Sequence, residues 1–160
     1  MHAENGEAVA LGQADTIARG ITGPEGHYLS RPAVLEDEAT ARAIRLARFV
    51  DTPIYIVHVM SRGAAEEISR ARDLGQRVIG EAVTSGFACD ESQVLDPDFK
   101  VAAQYVMSPP IRKREVDGVA LKNMLVSGSL SIVGTDHCGA LCGGRGRKGW
   151  GRAHTIAAGG

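Results

Sequence analysis

The sequence predicts an α/β domain in which parallel strands alternate with helices. Two apolar runs, IYIVHV at 54–59 and RVIGEAV at 77–83, are almost continuous, which is typical of strands buried on both faces. Each run is flanked by segments with helical periodicity, and this alternation implies βα units joined by right-handed crossovers. In such sheets the chemistry collects at the carboxyl ends of the strands, so the residues that follow each run are the first candidates for a site.

Composition limits the class of protein. A chain of 160 residues that is 44% hydrophobic can bury one core, and its net charge of -1 argues against a nucleic-acid binder. No apolar stretch approaches the roughly 20 residues that cross a bilayer, and the start lacks a signal-peptide pattern. Cys89, Cys138 and Cys142 do not form a disulfide or zinc-module pattern, so we expect free thiols in a cytoplasmic protein.

The first helix that periodicity predicts lies between residues 30 and 52. Ser30 and Pro32 are typical of a helix start. Acidic residues then come early and arginines late, as the helix macrodipole favours. Spacings of 4, 7 and 4 predict one apolar face, formed by Leu35, Ala39, Leu46 and Val50. Thr52 and Pro53 end this helix, and the strand IYIVHV follows.

The remaining elements continue the alternation. Ser61 begins a second helix that Gly75 ends, with apolar positions at Ala64, Ile68, Ala71 and Leu74. The strand RVIGEAV follows, and a polar stretch over 84–99 leads to QYVMSPP, a short apolar segment that its prolines end. A last helix over roughly 115–127 stops at Gly128 and leads into the strand LSIVG.

Two polar side chains interrupt these apolar runs where parallel sheets carry their chemistry. His58 lies near the end of IYIVHV, and Asp136 follows LSIVG. Each would be costly to bury without a partner, and a metal ion is such a partner. Imidazole and carboxylate together suit zinc, which can activate a bound water. The structural alternatives are a hydrogen-bonded core histidine and an aspartate that caps the next turn.

Other polar residues near the strands carry weaker signals. His137 alternates with Asp136 and should face the other side of the strand, so it and Cys138 are left outside the predicted metal shell. His27 lies in a segment rich in glycine and proline, which we interpret as a loop, and is assigned a structural role. Glu81, in VIGEAV, stays open between a structural role and the lining of a substrate pocket.

Five segments together carry a resemblance to a known family. In chain order they are HAENG at 2–6, GITGPEGHYLSRP at 20–32, IYIVHVMS at 54–61, VMSPPIR at 106–112 and GTDHC at 134–138. With these segments the chain resembles the dihydropyrimidinase and hydantoinase family of cyclic amidohydrolases from residue 1 to about 138. The resemblance implies a TIM-like (β/α) barrel, of which this chain would form approximately strands five to eight. It also implies a two-zinc centre bridged by a carboxylated lysine and a hydroxide.

The resemblance implies roles for four residues. His2 and His58 would ligate one zinc ion. Asp136 would bind the other and act as general base, taking a proton from the bridging hydroxide and delivering it to the leaving amide nitrogen. Ser108 would hydrogen-bond the ring amide of the substrate through its backbone. The expected reaction is hydrolytic opening of a 5,6-dihydropyrimidine or a 5-substituted hydantoin to an N-carbamoyl amino acid.

Part of the family's site has no counterpart in this sequence. The His-x-His pair, the bridging lysine and the oxyanion-stabilising tyrosine would lie upstream of HAENG. We therefore expect a fragment that neither holds two metals nor turns over substrate alone, whereas the complete enzyme would be a homotetramer without nucleic-acid or membrane partners. The alternative is a non-enzymatic, dihydropyrimidinase-related scaffolding protein. Such proteins resemble this chain but replace His58 with lysine and lack Asp136.

Composition changes abruptly near residue 139. All 19 acidic residues and 14 of the 18 basic residues lie in 1–138, which gives that part a net charge of -5. Residues 139–160 contain eight glycines, three arginines and one lysine, and no acid. We assign 1–138 to the partial barrel and expect 139–160 to be a disordered tail, because its apolar area cannot offset the entropy of ordering. A basic RNA-contacting tail is the alternative.

Overall fold

The computed structural model describes residues 1–137, so the predictions for Cys138, Cys142 and the tail 139–160 lie outside the described residues. The helices are α1 Gly6–Ala18, α2 Pro24–Leu29, α3 Ala33–Phe49, α4 Arg62–Asp73, α5 Thr84–Ala88, α6 Phe99–Ala103 and α7 Val119–Ser127. The strands are β1 Ile54–Val59, β2 Val78–Val83 and β3 Ile132–Gly134. A 3₁₀ turn, Glu91–Gln93, and a π-helical turn, Arg114–Gly118, complete these elements.

The three strands form one parallel sheet in the order β1-β2-β3. Ile56 pairs with Gly80, and Ala82 pairs with Val133. The prediction of an α/β fold with parallel strands is therefore confirmed. Three strands are present within the described residues, and residues 104–110 form turns and irregular backbone. The numbering of these strands as five to eight of a barrel therefore stays a prediction.

One face of the sheet carries the core. Helices α3, α4 and α7 contribute to it with β1 and β2, and its largest buried side chains are Ile44, Ile56, Ile68, Leu121 and Leu130. The opposite face is open within the described residues, with Tyr55 37% and Ile79 41% exposed. The prediction that these strands are buried on both faces is therefore wrong for residues 1–137, because helices cover one side only.

The predicted apolar face of α3 is also displaced. Leu46 and Val50 are 61% and 63% exposed. Ala39 is buried as predicted, and the other buried positions are Glu36, Thr40, Ala43, Ile44 and Ala47. The small alanine side chains let α3 approach α4 closely, whereas the larger leucine lies outside the contact.

The predicted ends of the second and last helices agree with the structure. Ser61 caps α4 by accepting a hydrogen bond from the Ala64 N–H at 3.3 Å. Gly75 and Gly128 follow α4 and α7 with φ of 81°, the left-handed conformation that glycine adopts most readily. The sequence did not predict α1 and α2, and His27 lies buried in α2 rather than in a loop. No helix within residues 1–137 combines the length and apolar character that a membrane span requires.

Candidate functional site

Both candidate residues at the strand ends have unusual backbone. His58 has φ of 40° and Asp136 has φ of 44°. The register between β1 and β2 shifts between Ile56 and Val59, as expected for a bulge at His58. Left-handed backbone at residues other than glycine is costly and tends to occur at functional sites. The only other such residue in 1–137 is Asp51, in the turn after α3.

His2 and His58 are in direct contact. Their Nδ1 and Nε2 atoms lie 2.6 Å apart, and the ring centroids are separated by 4.7 Å. The main chain of Met1 pairs with the edge of β1, since the Val57 N–H donates to the Met1 carbonyl at 3.2 Å. Ala3, the residue that follows His2, is buried in the core. These anchors hold the His2 ring against the end of β1.

Burial and charge favour the neutral form of His58. The His58 side chain is 5% exposed, and this burial lowers its pKa below the usual 6.5, with a further decrease caused by His2. The negative charges of Asp136 and Glu4 act in the opposite direction and raise the pKa in part. A neutral imidazole is the form that ligates a metal or accepts a proton.

Asp136 lies at the same end of the sheet as His58. It is exposed and follows β3 by two residues, and its charge acts on the imidazole across β2. His137 is also exposed. Glu81 accepts a hydrogen bond from the Tyr55 hydroxyl on the open face of the sheet. The structure therefore brings His2 and His58 together, and it places Asp136 at the same end of the sheet, where its charge acts on His58 without joining the pair.

Ser108 joins this group through a residue that sequence reasoning missed. The Ser108 hydroxyl donates to Glu4 Oε2 at 2.7 Å, and the peptide bond between Ser108 and Pro109 is cis. His27 Nε2 lies 2.7 Å from the Met107 carbonyl and fixes the preceding residue of the loop, in agreement with a structural role for His27. The available signal for Glu4 was its position inside HAENG, two residues from His2.

The donor set fits part of a zinc site. Within residues 1–137 no group of three or more His, Cys, Asp or Glu side chains is close enough to enclose a metal ion. Two imidazoles face each other, however, and tetrahedral zinc would hold such nitrogens roughly 3.4 Å apart given bonds of about 2.1 Å. The observed 2.6 Å would need to widen by less than about 1 Å. The His2 and His58 nitrogens thus match the ligand chemistry of zinc without completing its shell.

Comparison with known proteins shows which named proteins the chain is similar to. No protein-family model matches the chain. The chain is 62% identical over 138 residues to a dihydropyrimidinase of Arabidopsis thaliana. The matched residues cover 86% of this chain and 26% of that protein. The crystal structure of a dihydropyrimidinase from Brevibacillus agri NCHU1002 superposes with a TM-score of 0.84 and 38% identity, over 87% of this chain and 30% of that one. A D-hydantoinase structure superposes with a TM-score of 0.83 and 42% identity, over 88% of this chain and 30% of that one. The chain thus spans between a quarter and a third of the length of these relatives.

Proposed function

The chain belongs to the dihydropyrimidinase and D-hydantoinase family, and we propose that it supplies one part of the active site of a metal-dependent cyclic amidohydrolase. In this proposal residues 1–138 form approximately strands five to eight of a TIM-like barrel. The single observation that carries the proposal is the contact between His2 and His58 at the carboxyl end of β1, with the charge of Asp136 acting on it.

The proposed metal ligands are divided between two ions. His2 and His58 would hold one zinc ion, and Asp136 would contribute to the other. A bound metal would polarise the substrate carbonyl and lower the pKa of a water molecule. Burial of His58 keeps its ring neutral, which supports its role as a ligand. Since no third donor is close enough within residues 1–137, the remaining ligands would come from the rest of the barrel.

The proposed reaction adds water across one amide bond of a ring. A 5,6-dihydropyrimidine or 5-substituted hydantoin would be held by the backbone of Ser108, whose hydroxyl is fixed by Glu4. Asp136 would take one proton as the water oxygen bonds to the ring carbonyl carbon, and would then give that proton to the ring nitrogen as the carbon–nitrogen bond breaks. The product is an N-carbamoyl amino acid, and Asp136 returns to its carboxylate form.

The substrate partner is a small cyclic amide, and we propose a homotetramer for the complete enzyme. The scaffolding alternative is less favoured, because the chain retains both His58 and Asp136 and its relatives include proteins named as dihydropyrimidinase.

A chimaera tests this function directly. Residues 1–138 replace the aligned segment of the Arabidopsis dihydropyrimidinase, and hydrolysis of 5,6-dihydrouracil is followed. We expect the chimaera to hydrolyse dihydrouracil. Asp136→Asn should lower its kcat at least about 100-fold, because the general base is lost. His137→Gln, at the adjacent exposed position, is the matched control and should change kcat little. Equal kcat values for the two variants would contradict the role of Asp136.

A further inference from the structure

A buried ion pair lies next to the segments that carry the site and takes no part in the proposed chemistry. Glu36 of α3 and Arg112 are each 3% exposed, and Arg112 Nη2 lies 3.3 Å from Glu36 Oε2. Removing two charges from water is expensive, and their attraction repays that cost only where further hydrogen bonds satisfy both groups. The contacts of each partner therefore indicate what the pair accomplishes.

Glu36 holds the chain where it leaves β1. Its Oε1 atom accepts hydrogen bonds from the Met60 N–H at 2.7 Å and the Ser61 N–H at 3.1 Å. These two groups follow His58 by two and three residues. The next residue of α3, Asp37, accepts from the Ser61 hydroxyl at 2.6 Å. Two consecutive acids of α3 thus fix the segment that begins directly after the left-handed backbone of His58.

Arg112 holds the loop that carries Ser108. Its Nη1 donates to the Arg31 carbonyl while its Nη2 reaches Glu36. The residues between Ser108 and Arg112 are all buried and consist of Pro109, Pro110 and Ile111. Since proline restricts the backbone, this connection transmits the position of Arg112 to Ser108 with little freedom.

The pair is poorly built for stability alone. The Nε of Arg112 is buried and has no hydrogen-bond partner among the described residues. An incompletely satisfied buried ion pair contributes little net stability compared with apolar side chains of the same size. Its contacts instead join two segments that are distant in sequence and that both reach the candidate site.

We propose that Glu36 is a positioning residue that fixes the end of β1, with His58, relative to the loop that carries Ser108. The functional meaning of this spacing rests on the proposed function, since it would set the metal ligand against the substrate-binding backbone. The spacing itself is a property of this chain and can be measured without substrate or metal.

Hydrogen exchange of backbone amides tests the proposal on the 160-residue chain. In Glu36→Ala the protection of the Met60 and Ser61 amides should fall at least about tenfold more than that of Ile68, because one acceptor for both is removed. Ile44→Ala is the matched control, since it removes buried side-chain volume from the same helix. That variant should lower protection at all three amides by a similar factor.

The conservative variant separates the two halves of the proposed link. Above pH 7, where Glu36 of the native chain is ionised, Glu36→Gln keeps an acceptor for the main chain but loses the charge that faces Arg112. It should therefore preserve protection at Met60 and Ser61 while shifting the amide resonances of Ile111 and Arg112. This variant carries the test by itself if Glu36→Ala does not fold.

Two results would overturn the proposal. One is a uniform loss of protection in Glu36→Ala that matches Ile44→Ala, and the other is unchanged Ile111 and Arg112 resonances in Glu36→Gln. Neither result depends on hydrolysis, so failure of the chimaera to turn over would count against the proposed function and leave this test unaffected.

Discussion

At the scale of single residues, burial controls the charge of Glu36. Its pKa is raised to about 7, because desolvation outweighs the favourable effects of Arg112 and of the Met60 and Ser61 N–H groups. An unfolded chain would ionise this carboxyl near its usual 4.5, whereas the folded chain retains the proton to higher pH. The stability that Glu36 contributes is therefore fully present below about pH 4.5 and is lost as the pH rises to about 7.

This linkage predicts a pH-dependent difference between the native chain and Glu36→Gln. The free energy of unfolding of the native chain should fall relative to that of the variant as the pH rises from 4.5 to 7. The expected change is on the order of 1 to 3 kcal/mol, at 1.36 kcal/mol per pKa unit. Urea denaturation at several pH values measures it. A free energy of unfolding of the native chain that stays constant or rises with pH relative to that of the variant would be the contrary result. Other groups, including His58, titrate in both proteins and cancel in the comparison.

The sequence alone singled out the candidate residues that interrupt apolar runs, and it did not single out those defined by distant contacts. His58 and Asp136 were predictable because a polar group at a strand end is anomalous in its local sequence. Glu4 and Glu36 were not, because each resembles an ordinary acid of a loop or a first helical turn. Their partners lie 104 residues away at Ser108 and 76 residues away at Arg112. The residue pattern within a short stretch of sequence contains no information about contacts between residues so far apart.

At the scale of elements, a close contact at Gly80 sets the packing of β2. An added Cβ would lie 2.6 Å from Leu130 Cδ2 and 2.9 Å from Ile68 Cδ1. Both neighbours are buried, so neither can move without disturbing the core. Glycine at this position therefore lets α4 and Leu130 approach the middle of the sheet.

We expect Gly80→Ala to destabilise the chain by about 1 to 3 kcal/mol, because it overpacks this contact. Gly6→Ala is the matched control, since an added Cβ at the start of α1 meets nothing within 4 Å. The control should change the free energy of unfolding by no more than about 0.5 kcal/mol. Denaturant titration compares them, and similar midpoints for the two variants would show that β2 tolerates a side chain here.

Helices with clear capping and terminating residues were predicted, and helices without them were not. Helix α4 has a serine cap, a regular apolar face and a terminal glycine, and its sequence-based ends agree with the structure. Helix α1 lacks such a face, since it exposes Leu11 and Ile17 while burying Val9 and Thr16. The displaced face of α3 has a related cause, because alanines define the contact and their small size gives a weak hydrophobic signal.

At the scale of the whole molecule, the open face of the sheet and the incomplete donor set agree with each other. Tyr55, Ile79 and Ile132 are partly exposed on the open face, and the described residues provide two facing imidazoles without a third enclosing ligand. In the proposal both features have one explanation. The remaining barrel strands would cover this face and would bring the other ligands to the carboxyl ends of the strands.

We propose above all that His2 and His58 share a metal ion, and crystals of the chimaera test this most directly. Anomalous diffraction recorded on both sides of the zinc absorption edge locates zinc independently of any model of the reaction. We expect a peak within bonding distance, about 2.1 Å, of the facing nitrogens of both rings. A chimaera that hydrolyses dihydrouracil with no anomalous peak between these two rings would contradict it.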